Sequence, residues 1–333
     1  MRNAILPVLL LLSALLFGQN HSDSTYIQTF PEDLQVISSV HFYQNSISIK
    51  ANQNTSLDYL QSATVFSTRV QFDKWGIGLS VPTRLLSGKS NSSSFGVQLQ
   101  LFPKSLMINA GAQRMKGFHK VNLDTSNSEA FYSERQDVQL LHLYLNPIYV
   151  FCRNKYSLRS SMQLTERQLK SHGSFLAAFR VEYLRLNTNS ELLKEQQLDN
   201  VLTDYVFRQN GIEGGYTYTQ VVAKNLFISG IWLGGLAHTR AGYQQEESKY
   251  HFKKWQLIPV SDLTVSLGFQ SNRFVSSIQV NYRNRPTEAS DIQMEANGLT
   301  VQLQVGVRLH APGLRRAVDQ RSKHFTELFV PVR

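Results

Sequence analysis

Apolar side chains recur at every second position through much of this 333-residue chain, a pattern that fits half-buried strands and not helices. In Gly298 to Leu309, Leu299, Val301, Leu303, Val305, Val307 and Leu309 share one face, opposed by Thr300, Gln302, Gln304, Gly306 and Arg308. Trp75 to Val81 repeats the pattern, with Trp75, Ile77, Leu79 and Val81 opposed by Gly76, Gly78 and Ser80. Noisier segments follow at 34–43, 61–72, 94–102, 106–116, 138–151, 155–164, 173–186, 212–222, 226–239, 256–270 and 273–283. A short piece, Ser46 to Lys50, is a candidate partner of the first.

Tight turns join several neighbours: Asp73-Lys74, Pro103-Lys104-Ser105, Arg153-Asn154-Lys155, Lys224-Asn225 and Ser271-Asn272. Such turns force antiparallel hairpins. Longer polar stretches lie between them at Ser87 to Ser94, Val121 to Gln136, Asn187 to Asn210, Ala241 to Lys254 and Asn284 to Asn297, and Glu191 to Gln197 has the composition of a turn or two of helix. Short turns alternating with long loops are what a barrel with one plain and one elaborated rim produces. Strict alternation, however, places the 187–210 loop on the short-turn side. Either one segment is miscounted as a strand or Glu166 to His172 folds inward. The expectation is an all-β, antiparallel transmembrane β-barrel of about 12 strands, with 10 to 14 allowed.

A soluble sandwich or lipocalin-like barrel carries the same period with its apolar face turned inward. Three features favour the membrane: the Gly, Ser, Gln and Arg content of the second face, aromatics near many strand ends, and strand lengths near the roughly 9–11 residues that cross a bilayer. The first residues agree. Arg2, the apolar run from Ala4 to Phe17 and small Gly18 before Gln19 have the form of a secretory signal peptide, and the run of about 14 residues falls short of the roughly 20 an anchoring helix needs. The organisation read from the chain is a signal peptide over 1–18, a periplasmic segment over 19–33, the barrel over 34–309 and a basic tail over 310–333, placed in the outer membrane of a Gram-negative cell.

Charged residues make up only 17% of the chain, yet the formal net charge is +10. The basic residues are scattered, without the dense patch a nucleic-acid surface needs, so the expected partners are outer-membrane lipid, lipopolysaccharide phosphates and envelope proteins, with no nucleic acid. Cys152 is the only cysteine; a disulfide framework and a thiolate metal cluster are both excluded.

Tyr26 and Pro31, Lys116-Gly117-Phe118, the run Lys170, Ser171, Gly173, Ser174, Phe175, and Gly214-Gly215-Tyr216 ahead of a Lys-Asn turn resemble a set of Bacteroidetes outer-membrane proteins catalogued only as a domain of unknown function. The similarity runs over roughly residues 25–309, and Gly306-Val307-Arg308-Leu309 looks like the terminal strand of such barrels. The resemblance implies an outer-membrane barrel and no assigned activity. The chain departs from many barrels in continuing from His310 to Arg333, with Arg315, Arg316, Arg321, Lys323 and His324.

Candidate chemistry is sparse. His172 and Ser174 fall on one face of a strand, a spacing that suits a Ser nucleophile and its His base in a lipid-modifying hydrolase, but no orienting amide or carboxylate is identifiable and Gly173 has a plainer use as a bend. The remaining histidines, including His41, His119, His142, His238 and His251, lack ligand spacing, so no metal and no cofactor is expected. Gly117 suits a positive φ or a close backbone approach. The more informative class is inward charge: Arg69, Arg159, Arg180, Glu182, Asp262 and Arg308 fall on or near faces opposed to apolar ones. In a narrow barrel such groups pair across the lumen and close it; in a wider one they line a pore. The reading favoured is a plugged or narrow barrel acting as a channel, scaffold or envelope-assembly component, with a barrel-embedded hydrolase and a soluble lipocalin-like carrier as alternatives.

Overall fold

The computed structural model describes residues 23–51, 55–82, 93–103, 105–123, 130–188, 202–245, 251–252, 255–289 and 292–317. The expected signal peptide, the 191–197 helical stretch and most of the basic tail lie outside them.

Twelve strands form the wall: β2 (Asp33–Ala51), β3 (Thr55–Phe72), β4 (Trp75–Pro82), β5 (Ser93–Leu101), β6 (Leu106–Leu123), β7 (Ala130–Val150), β9 (His172–Asn187), β10 (Leu202–Ala223), β11 (Leu226–Gln245), β13 (Gln256–Gln270), β14 (Phe274–Ala289) and β15 (Ile292–His310). Of three two-residue strands, β1 (Ile27–Gln28) and β8 (Arg167–Gln168) form a separate pair, and β12 (His251–Phe252) pairs with the end of β11. Each wall strand pairs antiparallel with the next, β15 pairs with β2 and β10 with β11, so the sheet closes on itself. The wall thus runs from Asp33 to His310.

Alternation sets which way each side chain points, and here the apolar set points out. Along β4, Trp75, Ile77 and Leu79 are exposed while Gly76 and Gly78 are buried. On β10, Ile212 is 73% exposed beside Glu213 at 2%, and on β15 Val305 is 65% exposed beside Gln304 at 2%. Leaving one large apolar side chain in water forgoes about 1.5–3 kcal/mol, and a wall made of them is stable only in lipid. A soluble lipocalin-like arrangement requires the opposite orientation and is excluded.

The connections after Phe72, Leu101, Ala223 and Gln270 are short and lie at one end of the barrel, together with the start of β2, the end of β15 and the segment between β7 and β9. At the other end the connections after Pro82, Leu123, Asn187 and Gln245 are longer, and those after Ala51 and Ala289 are short. Toward that end the β4–β5 hairpin stops early and Asp58–Leu60 of β3 pair directly with His119–Val121 of β6. Gly117 makes this possible: its φ of 78° marks a bulge in β6, where the register with β7 shifts between Lys116 and Phe118, a conformation a Cβ disfavours.

Two details of the expected strand set change. Ser46 to Lys50 is not a separate partner strand but the continuation of β2. Residues 155–164 form no wall strand: they carry a helical turn, α1 (Leu158–Met162), with Ser157 as its N-cap. Removing that segment leaves twelve strands and moves the 187–210 connection to the long-loop end. The reason is physical, because 155–164 offers no outward apolar row to lipid; Tyr156, Leu158, Ser160, Ser161 and Leu164 are all buried.

Closure also requires close backbone approach at the β10–β11 seam. A Cβ built on Gly215 would lie 1.9 Å from the Trp232 carbonyl oxygen, whereas one on Gly214 meets nothing within 4 Å. Gly215→Ala is therefore expected to destabilise the barrel by about 1–3 kcal/mol and Gly214→Ala to leave it unchanged, read as the folded fraction in heat-modifiable gel migration after refolding.

Candidate functional site

The segment between β7 and β9, residues 151–171, turns into the short-turn mouth instead of bridging it. Wall side chains hold its main chain. Gln35 and Arg308 donate to the Leu164 carbonyl at 2.8 and 2.6 Å, Arg69 to that of Gln163 at 3.1 Å, and Gln270 to that of Ser160 at 2.7 Å. Four strands thus meet the otherwise unpaired backbone of a buried loop, which is what burial of such a loop demands. Leu164 sits at φ 61°, a backbone strain of about 1–3 kcal/mol that this double capture of its carbonyl offsets.

Side-chain contacts add to the attachment. The Tyr156 hydroxyl donates to Thr217 on β10, whose own hydroxyl donates to the Gly230 carbonyl. Glu166 accepts from Ser157 and, at 3.0 Å, from Arg159. Around them the wall turns apolar: Phe102, Met107, Ile148, Val150, Leu176, Ala178, Ile231 and Leu233 pack with Tyr156, Leu158 and Met162. The chain ahead of the barrel closes over the outside. β1 pairs with β8, Asp23 N donates to the Asn154 carbonyl, and Phe30 lies under the Arg308 guanidinium at 3.9 Å.

Of the inward charges named from sequence, Arg69, Arg180, Glu182, Asp262 and Arg308 project from the inner faces of β3, β9, β13 and β15. Arg159 does not belong with them: it sits on α1, where it donates to the Asp73 carbonyl and stacks on Phe102. Arg180 is the hub. Its Nε and Nη2 grip both oxygens of Glu213 at 2.6 and 3.0 Å, Nη1 reaches Glu182 at 3.0 Å, and Nη2 also meets Asp262. Glu213 is the residue sequence reasoning passed over. Its position on the inner face of β10, between outward Ile212 and Gly214, was the available signal.

His172 and Ser174 share a face, but no hydrogen bond joins them among the described residues. Ser174 Oγ donates to the Phe175 carbonyl at 2.8 Å and accepts from Cys152 N at 2.9 Å, while the His172 ring lies edge-on to Tyr26. Both capacities of the hydroxyl are committed to backbone where the inserted segment leaves the wall. Among the described residues no group of three or more His, Cys, Asp or Glu is arranged to hold a metal.

Above the insert lies a cavity of about 240 Å3, floored by Leu158, Met162 and Gln163 and walled mainly by polar side chains. On one side Ser39, His41 and Ser67 bond one another at 2.7–3.1 Å. Gln100, Asn109, Asn146, Gln279, Asn281 and Gln302 line it further, and Tyr43, Tyr144 and Arg283 face one another toward the long-loop side.

Removing a buried charge that satisfies three others is severe. Arg180→Leu is expected to destabilise the barrel by about 3–5 kcal/mol, and Arg180→Leu with Glu213→Leu and Asp262→Asn to recover most of that loss, measured as urea midpoints of refolded protein in micelles.

No curated protein matches the sequence. Solved structures similar in fold include the outer membrane protease OmpT from Escherichia coli, at 8% identity over 85% of this chain and 98% of that one with a TM-score of 0.44. The Pseudomonas putida toluene transporter TodX is similar at 8% identity over 84% and 90% with a TM-score of 0.31. The translocator domain of the autotransporter NalP from Neisseria meningitidis is similar at 10% over 83% and 88% with a TM-score of 0.37. Residues 21–309, which take in the whole wall up to Leu309 and the inserted segment, match the model of one family. The chain belongs to that family, described as Domain of unknown function (DUF4421).

Proposed function

We propose that this protein is a resident of the bacterial outer membrane, exported by its amino-terminal signal, whose barrel is shut to free diffusion and serves as a membrane-held scaffold for envelope partners. One observation carries the reading: an inserted segment fixed to β2, β3, β13 and β15 through its main-chain carbonyls. A wall that polices only lipid contact has no need of such anchors. The apolar layer beneath the cavity supports the same reading, since ions cross a dewetted constriction poorly. Exposed Lys74, Lys155, Lys170, Lys224 and Arg273 at the short-turn rim suit anionic lipid headgroups. Long loops at the opposite end suit variable contacts outside.

A hydrolytic role for His172 and Ser174 finds no support in the geometry, because the Ser174 hydroxyl is spent on backbone. A narrow channel remains a second reading only if the insert moves. Planar-bilayer recording of refolded protein tests this. The intact chain is expected to stay silent, and a variant with residues 156–168 replaced by a short Gly-Ser turn to give discrete conducting steps. Steps of the same size from both proteins contradict the scaffold reading and favour an open pore.

A further inference from the structure

We infer that the cavity above the insert is a binding site for a small, uncharged, polyhydroxylated solute of about monosaccharide size, reached from the long-loop end. Its volume of about 240 Å3 lies below the usual range for drug-sized ligands and suits a compact molecule. The floor is closed by Leu158, Met162 and Gln163. Arg283, by contrast, is exposed, so solvent meets the cavity past this residue and its neighbours Tyr43 and Tyr144.

The lining chemistry selects the class of solute. Carboxamides dominate the wall, and a carboxamide both donates and accepts, as a sugar hydroxyl does. Several are left with spare capacity: Gln100 Oε1, Asn109 Oδ1 and Gln163 Oε1 accept no hydrogen bond from the described residues, and these side chains belong to residues 2%, 8% and 3% exposed. A buried acceptor without a donor is expensive, and because all three side chains line the cavity, a small rotation of each amide brings its oxygen to an O–H donor from a ligand or water. Charge points away from an ion. Arg180 is already bound to the three carboxylates of Glu182, Glu213 and Asp262, and Arg69 is spent on the Gln163 carbonyl and Gln304. An apolar solute would strand the same acceptors.

Ring faces complete the fit. His41 stacks on Tyr43 with 2° between planes, and His142 lies against Tyr144. These shelves offer C–H contact to a pyranose-like ring. The inference needs the insert in place as a floor but no membrane location, so its failure leaves the conductance result standing.

Saturation-transfer NMR on the refolded full chain, in a detergent without a sugar headgroup, tests it with D-glucose, myo-inositol, glucuronate and n-hexanol as probes. The neutral polyols are expected to receive saturation, with glucuronate and hexanol at least ten-fold weaker. Asn109→Leu with Gln100→Leu is expected to weaken polyol binding about ten-fold or more while heat-modifiable migration is retained. Should that pair fail to fold, the near-isosteric Asn109→Asp, which adds a charge to the cavity, is expected to weaken it in the same direction. No saturation of any polyol by the intact chain, equal signals from all four probes, or folded variants that bind as the parent does would each overturn the assignment and leave a water-filled space.

Discussion

Every main-chain amide and carbonyl in a bilayer has to find its partner inside the protein, because hydrocarbon supplies none and each unpaired group costs several kcal/mol. For a chain built on period two, the only complete solution is a sheet without an edge. The ring β2 through β15, with β10 on β11 as its last seam, is that solution. Once it is closed, the faces have no freedom left: one residue of slip would turn Ile212 inward and Glu213 into lipid.

Closure creates the second problem, which is what fills the middle. Twelve strands enclose more space than wall side chains alone fill, and the chain answers with its own 151–171 segment. That segment carries backbone into the interior, so the same rule applies again. The donors are Gln35, Arg69, Gln270 and Arg308, long side chains that reach carbonyls from the wall. Higher up, the Arg180 hub ties β9, β10 and β13 together with three carboxylates. An ion cluster of this kind is a weak source of stability compared with apolar packing, but it ties β9, β10 and β13 to one another and leaves the upper lumen polar.

The wall was legible from sequence because alternation is a local signal that each segment carries by itself. Strand type, the turns at 73–74, 103–105, 224–225 and 271–272 and the count of about twelve all follow from it, whereas Arg153-Asn154-Lys155 opens the insert instead of a hairpin and most of the polar stretch 284–297 belongs to β14 and β15. The insert was not, for the same reason. Residues 155–164 contain Tyr156, Leu158 and Met162 among small polar residues, which reads as a noisy strand until one asks what Ser160, Ser161 and Arg159 would do in lipid. The failure of loop sidedness to balance was the trace this left, and inward folding of the neighbouring residues was one of its two solutions. The site was only partly legible. Parity identifies Arg180, Glu182 and Asp262 as inward, yet their convergence on one guanidinium depends on the stagger of β9, β10 and β13, a non-local quantity. Gln35 and Gln270 looked like ordinary strand-end glutamines; nothing in their neighbourhood announces the carbonyls they meet more than a hundred residues away in the chain.

The central claim is that the barrel holds part of its own chain as a fixed plug. Hydrogen–deuterium exchange of the protein in lipid bilayers tests it most directly. The account predicts that amides of 156–169, among them Tyr156, Gln163 and Leu169 with their partners at Cys152, Arg159 and Tyr26, exchange as slowly as those of the wall strands. Exchange of that stretch at the rate of an unprotected loop, with the wall still protected, would contradict it.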